Sequence, residues 1–218
     1  MRLGLVCGME AEARALGALR RHPDLSLDIS AAKPDRATVI AEQMARDGVD
    51  CLISWGIAGG LAPDIPSGAL LVPEAVIDTD GDRLALTGLK PAAAQGSFTL
   101  VGSDTVVASL QAKASLYDAT GATAVDMETH RVARIATEHG VPCIAIRAVS
   151  DPADRALPPG TEDALDESGR PKILPVLGGL ARHPSRLPAL LSAKRDLDCA
   201  IQTLSTLGAG LIEEMLAR

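Results

Sequence analysis

Aromatic residues are nearly absent: the 218-residue sequence holds one Trp, one Tyr and one Phe. That excludes a stacking platform for single-stranded nucleic acid, which needs several aromatic faces along one groove. Cations are also in deficit. The 21 Lys+Arg against 28 Asp+Glu leave a net charge of −7, the wrong sign for a nucleic-acid partner. No apolar run approaches the ~20 residues that span a bilayer, so no transmembrane helix is expected. The opening MRLGLVCGMEAEAR turns acidic too soon, after too short an apolar stretch, for a secretory signal. Cys7, Cys51, Cys143 and Cys199 form no CxxC pair, and three of them sit in apolar, strand-like runs. They read as reduced thiols acting as small buried hydrophobes. His22, His130, His139 and His183 offer no HExxH or equivalent spacing, so no metal is expected. What is present is 47% hydrophobic residues, enough for a sizeable core in one ordinary domain. These features point to a cytoplasmic enzyme.

Apolar runs of strand type alternate with helical patterns along most of the chain. Strands are expected at 2–7, 25–30, 51–55, 69–78, 97–102, 123–126 and 141–149. Helices are expected at 10–21, 36–46 and 128–139, the last two stopped by Gly48 and Gly140. The run 141–149 is broken only by Arg147, the mark of a strand covered on both faces. The pattern predicts one α/β domain over 1–218 with a central sheet flanked by helices. Residues 151–168 read as an acidic loop. Residues 170–195 reverse the sign with Arg170, Lys172, Arg182, Arg186, Lys194 and Arg195 and no carboxylate. A C-terminal helix follows over 187–216, with a break expected near Gly208 and Gly210.

In an open α/β sheet, ligands bind beyond the carboxyl ends of strands. Four segments place unusual residues there: Gly8-Met9-Glu10-Ala11-Glu12, a glycine-rich turn Gly56-Ile57-Ala58-Gly59-Gly60, Asp126-Met127-Glu128, and Ser150-Asp151. Taken singly, each has an ordinary explanation. An acid at a helix start complements the helix dipole. The glycine segment lacks both the Lys-Ser/Thr of a phosphate loop and the GxGxxG spacing of a dinucleotide site.

Together, GMEAE, GIAGGLAPDIPSG, AVDMETHRVA and IRAVSDPAD resemble the nucleoside phosphorylase and nucleosidase superfamily over nearly the whole chain. Order and spacing match the methylthioadenosine/adenosylhomocysteine nucleosidase branch. The tail, ALPP followed by GRPKILPVLGGLARHPSRLPALL, is most similar to hopanoid-associated phosphorylases, which are assigned to releasing adenine from adenosylhopane. The resemblance implies a nucleoside phosphorylase-like fold with a mixed sheet. It also implies cleavage of a purine N-glycosidic bond in an adenosine with a large 5′ substituent, no organic cofactor, and a homodimer or higher homo-oligomer. A methylthioadenosine/adenosylhomocysteine nucleosidase is the alternative enzyme, and an inactive nucleoside-binding protein the alternative of another class.

Such a cleavage leaves positive charge on the ribose and negative charge on the purine, so it needs an acid at the base and a carboxylate near the sugar. By the resemblance, Asp151 with Ser150 faces the purine, Glu128 accepts from ribose hydroxyls, Met127 walls the sugar and Glu12 activates water. Asp104, Val106 and Val107 lie where the purine-stacking Phe usually stands. Ile57, Ala58, Gly59 and Gly60 line the nucleophile side. The chain also departs from the pattern. Ile57 replaces the customary Ser or Thr, no GDPxR phosphate block exists, and Gly68-Ala69 replaces Gly-Asp. Phosphate, a possible co-substrate, would rest on backbone N–H groups of 56–60; Glu12 favours water. In a protein handling a lipid-borne nucleoside, 170–195 would make a peripheral membrane contact, with Arg182, Arg186, Lys194 and Arg195 at the surface and Leu187, Leu190 and Leu191 inserted.

Overall fold

The computed structural model describes residues 1–88, 97–159, 166–170 and 187–218. Nine strands build one mixed sheet: β1 (Leu3–Cys7), β2 (Leu25–Ile29), β3 (Cys51–Gly60), β4 (Leu70–Leu71), β5 (Ala75–Ile77), β6 (Arg83–Ala85), β7 (Thr99–Gly102), β8 (Ala124–Asp126) and β9 (Cys143–Asp151). Among the described residues the helices are α1 (Glu10–Ala15), α2 (Pro34–Arg46), α3 (Leu110–Thr120), α4 (Thr129–His139), α5 (Leu187–Thr203) and α6 (Ala209–Leu216). The order β2-β1-β3-β8-β7-β5-β6 makes the ten-residue β3 the hub of the sheet. Its first part lies parallel to β1 and β9, and its last two residues pair antiparallel with β8.

Period-two alternation sends side chains to cores on both faces. From β1 and β9, Leu3, Leu5, Cys7, Ile144, Ile146 and Ala148 enter one core, with Ala200 of α5 and Ile212 and Met215 of α6. Val6, Cys143, Ala145 and Val149 enter the other, against α2 and α4. The α2 stripe Ala37, Ile40, Ala41, Met44 has the i, i+3, i+4, i+7 spacing of a single buried face. Gly140 closes α4 in the left-handed region at φ 67°, where a side chain would be strained.

Several expected elements take a different form. Helix 10–21 divides into α1 and a 3₁₀ turn, Gly17–Arg21, because Gly17 turns left-handed at φ 55°. Strand 69–78 becomes β4 and β5, separated around Pro73, which has no N–H for the ladder. Residues 56–60 are not a turn: they complete β3. The break in the C-terminal helix is a π-helical turn, Leu204–Gly208, whose last glycine seats on Trp55. Helix α3 and the short β6 have no counterpart in the sequence reading. Cys7, Cys51 and Cys143 are buried as expected, and burial pushes their thiols up; Cys199 is exposed.

Candidate active site

Arg147 occupies an apolar position of β9, in the row Cys143, Ala145, Val149 that faces α4, and is fully buried. A buried guanidinium needs anions and acceptors. The chain supplies Asp126 at the end of β8 as a direct ion pair, and Glu128 two residues later, with its Oε2 3.5 Å from Nη2. Hydroxyls complete the shell: Ser54 Oγ of β3 accepts from Nη2 at 2.5 Å, and Thr129 Oγ1 accepts from Nε at 3.3 Å and from Nη2 at 3.1 Å. Nη1 reaches the carbonyl of Ile57 at 3.4 Å. Thr129 also donates to Asp126, by backbone N–H at 3.1 Å and by its hydroxyl. Asp126 Oδ1 is buried and has no donor among the described residues.

Glu12 enters from α1. The backbone N–H groups of Gly8 and Met9 donate to Oε2 at 2.8 and 2.7 Å, and that of Ile57 donates to Oε1 at 2.8 Å. Trp55 Nε1 donates to the Glu12 carbonyl at 2.9 Å, which ties this turn of α1 to β3. Two glycines make room for the cluster. A Cβ on Gly56 would lie 2.4 Å from Glu12 Oε1 and 2.6 Å from Arg147 Nη1; one on Gly8 would lie 2.9 Å from Glu128 Oε1. Burial pushes the Glu12 carboxyl up, against the pull of Arg147 and the three N–H groups. Burial also raises Glu128, to about 8; Arg147 opposes the shift, while Asp126 and Glu12 add to it. Ser30 donates to Glu128 Oε1 at 3.4 Å. Asp126 and Glu128 thus share one guanidinium, and the Glu12 carboxylate lies near it at Gly56 without an ion pair.

Asp151 closes β9 at a bulge. Ala58 pairs with Val149 and Gly59 with Asp151, so Ser150 is the extra residue. Ser150 Oγ donates to Asp151 Oδ1 at 2.5 Å and lies 3.3 Å from the carbonyl of Ala58. Lys113 of α3 brings its Nζ to 2.6 Å from Oδ2. This is a charge contact: Oδ2 has no aligned hydrogen-bond donor among the described residues. Burial pushes the Asp151 carboxyl up, and the Lys113 ammonium and Ser150 hydroxyl pull it down.

The structure therefore gathers Glu12, Glu128 and Ile57 around Arg147, with Asp151, Ser150, Ala58, Gly59 and Gly60 farther along the β3–β9 pair. Met127 is half-buried between Asp126 and Glu128. Val106 and Val107 are half-buried, Val107 against Leu61, Val101, Ala122 and Val125. Asp104 stands apart: Arg131 holds it through two contacts, at 3.1 and 2.6 Å, and His130 Nε2 lies 2.9 Å away. The Arg131 hydrogen bonds lead in holding its carboxyl low. The supposed phosphate cradle differs from expectation, since the Ile57 N–H serves Glu12 and Gly59 and Gly60 are ladder partners of β8. Lys172, Arg182 and Arg186 of the basic segment lie outside the described residues. Lys194 and Arg195 are exposed, Lys194 paired with Asp198 at 2.5 Å. Among the described residues no group of three His, Cys, Asp or Glu side chains is placed to hold a metal ion. No helix among them is long and apolar enough to cross a membrane. Sequence reasoning missed Arg147 as a site residue, although a charge inside an apolar strand was its signal, and it missed Lys113, which had none.

The fold and site define an α/β protein with a buried, acid-rich, guanidinium-centred cluster where β1 and β8 end against β3. The chain belongs to the Phosphorylase superfamily, whose profile matches residues 26–100 and 97–170. It is similar to a futalosine hydrolase of Streptomyces coelicolor, 34% identical over 134 residues, which are 49% of this chain and 57% of that enzyme. The chain thus spans little more than half the length of that curated relative. Among solved structures, it superposes on the 5′-methylthioadenosine/S-adenosylhomocysteine nucleosidase of Neisseria meningitidis with a TM-score of 0.72, 19% identity, and 97% and 98% of the two chains covered. The Helicobacter pylori nucleosidase of the same name gives 0.70, 18%, and 100% and 98%. Futalosine hydrolase of Helicobacter pylori gives 0.67, 18%, and 100% and 97%. At these identities the three share the fold.

Proposed function

We propose that this chain hydrolyses the N-glycosidic bond of a purine nucleoside with a bulky 5′ substituent. The carrying observation is the buried guanidinium of Arg147 paired with Asp126 and Glu128, with the Glu12 carboxylate close by at Gly56 and Asp151 beyond them on the same strand pair. In this reading the C1′–N9 bond breaks, its electron pair passes to the purine, and Asp151 gives a proton to N7. In its ionised form Glu128 accepts from ribose hydroxyls and favours the oxocarbenium-like transition state, as carboxylates do in glycoside hydrolysis. Water adds to C1′ and its proton passes to Glu12, whose raised affinity for protons suits a base.

Electrostatics favour water over phosphate. A phosphate dianion would enter beside three buried acids, two of them already with raised proton affinity, served by a single guanidinium, and the backbone N–H of Ile57 already donates to Glu12. The names of the relatives, hydrolase and nucleosidase, agree. For the 5′ group, the sequence resemblance favours adenosylhopane, and the 34% identical relative favours futalosine as a second reading. The proposal includes a homodimer, read by sedimentation velocity. The test is a panel of methylthioadenosine, adenosylhomocysteine, futalosine and adenosylhopane, with free purine followed by chromatography. Release from at least one, fastest with the largest apolar 5′ group, supports the proposal; release from none refutes it.

A further inference from the structure

Helix α3 has one buried residue, and it is a lysine. Lys113 is 1% exposed, and its ammonium meets three acceptors: Asp151 Oδ2 at 2.6 Å, the Asp151 carbonyl at 3.0 Å and the Pro152 carbonyl at 2.9 Å. Two of its N–H donors serve the carbonyls, and its charge faces the carboxylate. Burying that charge costs several kcal/mol before pairing, and an apolar side chain would anchor a helix here without the cost. Ser109 caps the start of α3 with a 3.1 Å bond to the Ala112 N–H, and Gly121 ends it, so the helix is locally well specified without this contact. What the lysine adds is a fixed positive charge against the one carboxyl at the end of β9.

We infer that Lys113 is a positioning residue for the purine-facing acid, fixing the carboxyl of Asp151 and setting the pH range over which it can hand a proton to the leaving base. The inference rests on the glycosidase reading given above. Geometry supports it from both oxygens. Lys113 holds Oδ2 while the Ser150 hydroxyl holds Oδ1, so the carboxyl plane is fixed at the bulge. The other charged groups near Asp151 are Asp196 of α5, which raises its proton affinity, and Arg155, which is ion-paired with Asp196. Lys113 is therefore the direct cationic partner of Asp151 among the described residues. As a proton donor, Asp151 loses activity as pH rises through its own titration. An adjacent cation brings that loss to lower pH, and removing it sends the loss upward, typically by 1–3 pH units for a partner this close.

The experiment compares wild type with Lys113→Gln, which retains donors for the two carbonyls, and with Lys113→Met as a second uncharged variant should the first fail to fold. Two quantities are read: the Asp151 carboxyl titration by ¹³C NMR, assigned with Asp151→Asn, and the pH profile of kcat for purine release. The expected result is an upward move of about one pH unit or more in both, with KM changed less than about threefold and with the wild-type profile approached in Lys113→Arg. A carboxyl midpoint that stays in place, or a uniform loss of kcat with an unmoved limb, overturns the inference. Should wild type release no purine at any pH, the glycosidase reading fails on its own, and the carboxyl midpoint still decides whether Lys113 governs Asp151.

Discussion

Gly56 and Arg147 are register partners across β3 and β9, and the side chain that Gly56 lacks would fill the space between the Glu12 carboxylate and the Arg147 guanidinium. A methyl group there would lie well inside contact distance of both, so the glycine is a condition of the cluster. Gly56→Ala should lower stability by about 1–3 kcal/mol, as overpacking does. It should also cut purine release by at least 100-fold, because Glu12 or Arg147 must move. Thermal unfolding and initial rates check this; unchanged values in both would mean that the Glu12–Gly56–Arg147 packing is looser than the geometry states.

Glu128 makes the protein's stability depend on pH. Its carboxyl titrates near 8 in the folded protein against 4.5 for the free side chain. Between those values the folded state binds the extra proton, so stability falls as pH rises. The stabilising contribution is whole below about 4.5 and is lost through about 8. Glu128→Gln carries the neutral shape at every pH, so its stability relative to wild type should improve between pH 5 and pH 9, by an amount on the order of a few kcal/mol. Urea unfolding of both proteins at the two pH values reads the difference. A constant difference would show that Glu128 is ionised throughout.

Asp151→Asn fits the same volume but has no proton to transfer. Purine release should fall by about 10²–10⁴-fold, the usual contribution of a general acid, with folding retained as judged by circular dichroism. Near-wild-type turnover would remove Asp151 from the mechanism.

The frame of the sheet was legible because buried strands are apolar runs and half-exposed ones alternate. Leu3–Cys7, Leu25–Ile29 and Cys143–Asp151 fall where the sequence suggests, and α4 stops at Gly140 as expected. Helix α3 escaped because its buried face is a single lysine, leaving no apolar stripe to detect. Residues 56–60 were misread for a physical reason: glycines suggest a turn, yet here they let Glu12, Arg147 and Asp151 approach a continuing strand. Arg147 was visible as an interruption, but its partners Ser54, Asp126 and Thr129 come from three other elements, and only the fold unites them. Pairing between distant elements, as with Lys113 and Asp151, leaves no trace in local pattern.

Water as the nucleophile is the claim that most directly tests the site, because it follows from Glu12 standing in a buried, acid-rich cluster next to Arg147. The measurement is mass spectrometry of the sugar product formed in ¹⁸O-labelled water, with and without phosphate, by wild type and Glu12→Gln. The account predicts one ¹⁸O at C1, a rate indifferent to phosphate, and a loss of at least 100-fold in Glu12→Gln. A ribose 1-phosphate product formed only when phosphate is present, with Glu12→Gln still active, would contradict it.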